Sequence, residues 1–307
     1  MVSETGLLCY HFSASMHLSL VYHAGALGDF ITTLPAMSAW RRRHPRDWIL
    51  LLGVPELAAV APQGLFDEIW DARSPRFAAL FADGIDPASP LGRRLSELRS
   101  ALLFSHVSSR LSTSLLRLGP TEIIRQDPFP SQRTHIVDYH LSLFSGNAFS
   151  EEDRQPRIAS VQGTIPVPRD TVALHPGSGG PGKNWPFSGF TVLAGLLSRA
   201  GYTVRWIIGP AEEDLALPFA AEAWRNTPLA DLAAALRDCR LFVGNDSGVS
   251  HLAAAAGCAT VALFGATDPG VWAPRGPRVR VLQAPGATMS ALSAETVFSE
   301  CLGFLRG

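Results

Sequence analysis

Between Leu241 and Phe264 the chain reads LFVGNDSGVSHLAAAAGCATVALF, two short apolar runs separated by a turn and a helix-forming segment. Such runs suit buried strands, and a strand–helix–strand unit is the building block of an α/β fold. Asn245, Asp246 and Ser247 are helix-starting residues, because their short side chains accept from the open N–H groups of a first turn. Val249 to Ala256 is helical in composition, and Gly257 can close that helix in a left-handed conformation. The turn therefore sets Asp246, Ser247, Gly248 and His251 around a helix N-terminus, where unpaired N–H groups and the helix dipole favour an anion. Gly248 carries no side chain to hold a phosphate off the backbone.

The same alternation runs through the chain. Leu18–Tyr22, Trp48–Leu52, Ile69–Trp70, Ala101–Phe104 and Glu122–Ile124 read as strands, with helices over Phe30–Arg43, Leu91–Leu98 and Ser108–Leu118. Further on, Thr171–Leu174, Val204–Gly209 and Val279–Leu282 are strand-like, and helices are expected over Ile136–Phe144, Phe190–Arg199, from Pro228 and near Ala291–Leu305. The pattern predicts parallel, doubly wound sheets. A length of 307 residues suits two domains. Residues 1–15 lack periodicity and read as a tail, with Met16 a candidate natural start. The expected order is a first domain over 16–150, a proline-containing linker over 151–170, a second domain over 171–287 and a C-terminal helix over 288–307 that can cross back to the first. Arg73 to Pro90 reads as loop-rich.

A formal net charge of −1 gives no global argument for nucleic acid. No run approaches the roughly 18 apolar residues of a membrane span, and the first residues make a poor signal peptide, so a cytoplasmic protein is expected. Cys9, Cys239, Cys258 and Cys301 stand far apart and fit free thiols better than a disulfide framework or a zinc site. Of 26 basic residues one is lysine, Lys183. Its survival in an arginine-rich chain suggests a place where a compact ammonium is needed. Arg41, Arg42, Arg43 and Arg46 form a basic cluster that is either a solvated helix end or a face for anionic headgroups.

Two more stretches carry chemistry. Gly25-Ala-Leu-Gly28-Asp29, ending in Pro35, follows the first strand but is not the G-x-G-x-x-G dinucleotide fingerprint. Asp29 is either a helix cap or a carboxylate presented at the carboxyl end of a strand, where open α/β sheets place their ligands. HPGSGGPGKNWP, from His175, contains G-x-x-x-x-G-K but continues into Asn184 where a P-loop needs Ser or Thr. Trp185-Pro186 also pushes the backbone out of helix at once, so a nucleotide-hydrolysing P-loop is not expected. The glycines would let backbone amides approach an anion.

Together these stretches resemble the family 9 glycosyltransferases, the bacterial heptosyltransferase family. The matching motifs are Gly25 to Pro35, His175 to Pro186, Asp246-Ser247-Gly248-Val249-Ser250-His251 and Phe264-Gly265-Ala266-Thr267-Asp268-Pro269. The resemblance implies a GT-B fold: two Rossmann-like, doubly wound domains with a cleft between them. It implies inverting, metal-independent transfer of a heptose from an ADP-sugar to an acceptor hydroxyl, in lipopolysaccharide core assembly, with no cofactor. Asp29 would be the general base. Lys183, Ser178 and the turn at Asp246, Ser247, Gly248 and His251 would hold the donor diphosphate beside Gly25 and Gly28. Glu212 or Glu213 would accept from the ribose, and Thr227 and Leu229 would lie against the adenine. The implied partners are a nucleotide-sugar donor and a glycolipid or other glycan acceptor, with peripheral contact at the inner membrane surface. The absence of a D-x-D motif agrees with a cation and a helix dipole in place of a metal. Two rivals are the same fold with another nucleotide sugar and acceptor (capsule glycan or secondary metabolite), and a non-catalytic nucleotide-sugar-binding protein.

Overall fold

In a computed structural model, residues 17–82, 84–144, 146–160, 163–218 and 221–306 are described. The expected tail over 1–15 and the candidate start at Met16 lie outside them. The chain divides into two compact units. One combines the segments up to His23, Trp40–Val54 and Gly64–Asp127; the other combines Ala24–Ala39, Pro55–Gln63 and Pro128–Gly307. These units are not colinear with the expected domains, because the start of the first helix groups with the C-terminal half.

The first unit carries a five-stranded sheet. Its strands are β1 (Leu18–His23), β2 (Trp48–Gly53), β3 (Glu68–Asp71), β4 (Leu98–Phe104) and β5 (Glu122–Gln126). The helices over this stretch of sequence are α1 (Leu27–Arg43), α2 (Pro55–Ala58), α3 (Pro90–Leu95) and α4 (Leu111–Leu116), of which α2 and most of α1 group with the second unit. All pairings are parallel in the order β3-β2-β1-β4-β5. Leu20, Leu50, Leu52 and Leu103 are almost wholly buried, which is why these strands read as unbroken apolar runs. Buried Ser19 takes hydrogen bonds from Trp40 Nε1 at 2.8 Å and Ser100 Oγ at 2.9 Å, so its hydroxyl is satisfied. Leu98 belongs to β4 and not to the preceding helix, which stops at Leu95. The stretch expected as loop holds a 3-10 turn, Pro75–Phe81, whose Phe77 and Leu80 enter the core.

From Pro128 on, the second unit carries α5 (Ile136–Leu141), β6 (Thr171–His175), α6 (Phe187–Arg199), β7 (Thr203–Ile208), β8 (Glu222–Arg225) and α7 (Leu229–Asp238). It continues through β9 (Leu241–Asn245), α8 (Gly248–Ala255), β10 (Thr260–Phe264), α9 (Pro269–Trp272), β11 (Val279–Gln283) and α10 (Ala294–Leu305). The strand order is β11-β10-β9-β6-β7-β8, all parallel. The winding reverses between β6 and β9, the position where a doubly wound sheet leaves a crevice at its carboxyl edge. Gly257 closes α8 at φ +84°. The last helix packs against α6: Val297, Cys301 and Leu305 share a core with Phe190, Leu193 and Leu197. The described cysteines, Cys239, Cys258 and Cys301, are free and buried, and burial raises each thiol well above its ordinary pKa. No described helix is long and apolar enough to cross a membrane.

Candidate active site

The loops leaving β6 and β9 converge at the reversal of the second sheet. Asn245, wholly buried at the end of β9, accepts from Trp185 N at 2.9 Å and donates to the Pro176 carbonyl at 2.8 Å. Asn245 thus pins the whole 176–185 loop; it does not start the helix. The cap is Ser247, whose hydroxyl accepts from Ser250 N. Within the pinned loop Lys183 ends a short 3-10 turn, Pro181–Lys183, and Asn184 is already extended. The helix begins only at Phe187, so the G-x-x-x-x-G-K string is not a P-loop.

Lys183 Nζ lies 2.7 Å from Asp246 Oδ2. The ammonium is 45% exposed, whereas the carboxylate is 7% exposed. The pair joins the two loops and holds a cation beside the N-terminus of α8. His251 lies in the first turn of that helix, buried. Burial lowers its pKa from 6.5 to about 4, Asp246 acts in the opposite direction, and His135 and Lys183 reinforce the lowering. His251 is therefore a neutral imidazole at pH 7. It can offer an N–H to a ligand, not a cation.

The first turn of α1 meets the first turn of α8. A side-chain carbon on Gly28 would lie 3.4 Å from Gly248 Cα and 3.5 Å from His251 Cδ2; one on Gly248 would lie 2.9 Å from Gly28 N and 3.0 Å from Leu27 Cβ. The missing side chain of Gly248 therefore makes room for the 27–28 turn. Asp29 follows at once. Its Oδ2 accepts from Ala26 N at 3.3 Å, so the carboxylate reaches back to the start of its own helix as a capping group does. Burial raises its pKa, while the Ala26 hydrogen bond and the Lys183 charge pull it down. Asp29 thus both caps and stands as a half-buried carboxylate in the electrostatic reach of Lys183. Gly25 is exposed in the bend before α1.

The other candidates are placed less evenly. Ser178 turns its hydroxyl onto Gly180, donating to the carbonyl at 2.7 Å and accepting from the N–H at 3.2 Å. Glu212 and Glu213 diverge. Glu212 Oε2 accepts from Gly209 N at 3.1 Å, and its Oε1 stands 2.0 Å from where a side-chain carbon on Gly177 would be. Its carboxylate therefore lies against the β6 loop. Glu213 instead accepts from the side chain of Asn226, away from that loop. Buried His175 bonds the Ile207 carbonyl through Nδ1 at 3.0 Å; burial lowers its pKa and the Glu212 charge acts against this. Thr227 lies in the connection after β8 and Leu229 opens α7, both half-buried.

Sequence reasoning missed Arg133 and His135. Arg133 grips Asp268 through two hydrogen bonds, at 2.6 and 3.1 Å, while Asp268 caps α9 by accepting from Gly270 N at 2.8 Å. His135 Nε2 bonds the Ala273 carbonyl at 3.0 Å, and its charge state is felt at His251. The Thr267-Asp268-Pro269 motif was the one available signal, but nothing local says which distant arginine answers it. Among the described residues no three His, Cys, Asp or Glu side chains gather as a metal site.

Two open, all-parallel α/β sheets, with a lysine and a helix N-terminus at the reversal of the second, form a doubly wound protein with a candidate anion site at a carboxyl edge. The sequence profile of Glycosyltransferase family 9 (heptosyltransferase) matches residues 133–301. Lipopolysaccharide heptosyltransferase 1 of Escherichia coli O18:K1:H7 (strain RS218 / NMEC) is 35% identical over 91% of this chain and 95% of its own length. The chain belongs to glycosyltransferase family 9, the heptosyltransferase family, and is a glycosyltransferase. In fold it is similar to E. coli ADP-heptose LPS heptosyltransferase II, with TM-score 0.75 and 18% identity over 94% of this chain and 98% of that one. It is also similar to E. coli heptosyltransferase WaaC with ADP, with TM-score 0.68 and 19% identity over 94% and 99% of the two chains.

Proposed function

We propose that this protein transfers a heptose from an ADP-sugar to an acceptor hydroxyl in lipopolysaccharide core assembly, by a single inverting displacement without a metal. The observation that carries the reading is the Lys183–Asp246 pair at the N-terminus of α8, a fixed cation beside open N–H groups. The ADP assignment rests on the relatives, one of them described with ADP and another as an ADP-heptose enzyme.

In this reading the donor diphosphate lies along α8. Lys183, the N–H groups at Ser247–Gly248 and a neutral His251 N–H stabilise the charge that grows on it as the sugar departs. One such preorganised donor is worth about 2.7–4 kcal/mol. Asp29 accepts the proton of the acceptor hydroxyl while that oxygen bonds the anomeric carbon, and the electrons of the breaking C–O bond leave with ADP. One displacement inverts the anomeric centre. Burial favours Asp29 as a base, since a raised pKa strengthens proton acceptance. Glu212, not Glu213, is the ribose acceptor in this scheme, because it alone lies on the β6 loop. Residues 171–287 serve the donor and 16–150 the acceptor. The protein works in the cytoplasm, with peripheral contact at the inner membrane surface.

The test is ADP release from ADP-heptose in the presence of a heptose-less lipopolysaccharide core. ADP release that requires both substrates is expected. Release only from a UDP- or GDP-sugar, or only with another acceptor, would replace the substrate assignment and leave the enzyme class in place.

A further inference from the structure

The motif Phe264-Gly265-Ala266-Thr267-Asp268-Pro269 takes no part in the transfer scheme, yet it opens the loop that leaves β10. That loop starts beside the anion site: Leu263 pairs with Asn245, and its carbonyl accepts from Asp246 N at 2.9 Å. Between Ala266 and Ala273 only Val271 is buried, so hydrophobic burial does little to fix the loop. Polar links to one short segment, residues 133–138, hold it instead. Arg133 grips Asp268 with two hydrogen bonds, at 2.6 and 3.1 Å. Gly270 leaves room for that guanidinium, since a side-chain carbon there would lie 2.7 Å from Nη2. His135 donates from Nε2 to the Ala273 carbonyl at 3.0 Å, and its Nδ1 accepts from Val137 N at 3.3 Å, so both ring nitrogens are committed. Arg275 gives two bonds to Asp138, at 3.0 and 2.5 Å. The Arg133 side chain is 76% exposed, and exposed ion pairs add little to stability. Two bidentate pairs and a committed imidazole do fix direction. The segment therefore sets the position of the loop more than it adds folding energy.

Strand order decides what this loop faces. Across the carboxyl edge of the second sheet the loops follow in the order β10, β9, β6, β7 and β8. The donor reading places ribose at Glu212, after β7, and adenine at Thr227 and Leu229, after β8. The diphosphate then lies over β6 and β9, at Lys183 and the start of α8. A nucleotide sugar runs from base through diphosphate to sugar, so its sugar comes next in that order, at the β10 loop.

We propose that Arg133, His135 and Asp138 are positioning residues that clamp the β10 loop as the wall against the transferred sugar. The proposal rests on the donor placement of the transfer reading. Arg133→Gln and Asp268→Asn each cut the first link, and Asn can still cap α9 as Asp268 does through Gly270 N. His135→Leu loses both imidazole bonds, whereas His135→Gln keeps an N–H to offer Ala273. Each variant is measured by thermal melt, by calorimetry with ADP, and by transfer from ADP-heptose to a heptose-less core. Arg133→Gln, Asp268→Asn and His135→Leu should each shift Tm by no more than about 2 °C, leave ADP affinity within about twofold and lower kcat by about 10-fold or more. Arg133→Gln/Asp268→Asn should be no slower than either single variant, because both remove the same link. His135→Gln should recover most of the turnover that His135→Leu loses. A wrong donor assignment would show in wild type as no transfer from ADP-heptose, and the variants are then compared on the nucleotide sugar that wild type does use. Unchanged kcat in the folded variants would overturn the proposal, as would ADP affinity falling in step with kcat. Should His135→Leu fail to fold, the exposed Arg133→Gln decides the matter.

Discussion

Gly28 and Gly248 meet backbone to backbone: a side-chain carbon on Gly248 would lie 2.9 Å from Gly28 N, closer than real side chains approach. The contact ties the turn that bears Asp29 to the helix end beside Lys183. Filling it should therefore disturb geometry before it disturbs anion binding. Gly248→Val is expected to cost about 1–3 kcal/mol, the range for forcing atoms into a packed site, and to lower Tm. Turnover should fall further than ADP affinity. Calorimetry with ADP beside a thermal melt checks this; lost ADP binding at unchanged Tm would mean that the glycine clears space for phosphate directly.

Lys183→Ala removes the cation and leaves Asp246, only 7% exposed, without its partner. Two losses should follow: weaker ADP binding by about 10-fold or more, and a lower Tm from a carboxylate left unpaired. The double variant Lys183→Ala/Asp246→Asn should recover Tm but not ADP affinity. Lys183→Arg should recover affinity only in part, since a guanidinium is broader than an ammonium. An Arg variant equal to wild type would remove the reason for a lysine there.

Stability should depend on pH through two buried histidines. Burial lowers both His23 and His251 from 6.5 to about 4. Between those values the unfolded chain holds more protons on these groups than the folded one, so stability falls as pH drops from 6.5 toward 4 and levels off below. Asp29 has the opposite sign, because its raised pKa lets the folded state take up its proton first. Tm should thus decline from pH 6.5 to 5, and His251→Gln should flatten part of that decline. An unchanged slope in this variant would mean that His251 is not held neutral by the fold.

The strands were legible because burial on both faces writes them as apolar runs, as in Leu50–Leu52 or Val261–Leu263. Edge strand β8 escaped notice: of Glu222, Ala223, Trp224 and Arg225 only Trp224 is buried, so no run forms. Phe77 and Leu80 were hidden in a proline-containing stretch whose 3-10 turn carries no long periodicity. At the site, residue types and motif positions were readable, but their partners were not. Nothing in the sequence says that Asn245 anchors a loop instead of capping a helix, that Gly248 faces Gly28, or that Glu212 and Glu213 turn to different neighbours. Charge state was equally hidden, since the neutrality of His251 comes from burial by distant parts of the chain.

Asp29→Asn tests the account most directly. Asn is nearly isosteric and can still accept from Ala26 N, so the cap survives while the base is lost. The paired measurement is ADP affinity by calorimetry and turnover of ADP-heptose with a heptose-less core acceptor. The account predicts an unchanged fold, ADP affinity equal to wild type or slightly tighter, and transfer slower by about 10²-fold or more. Full turnover in a folded Asn variant would contradict it.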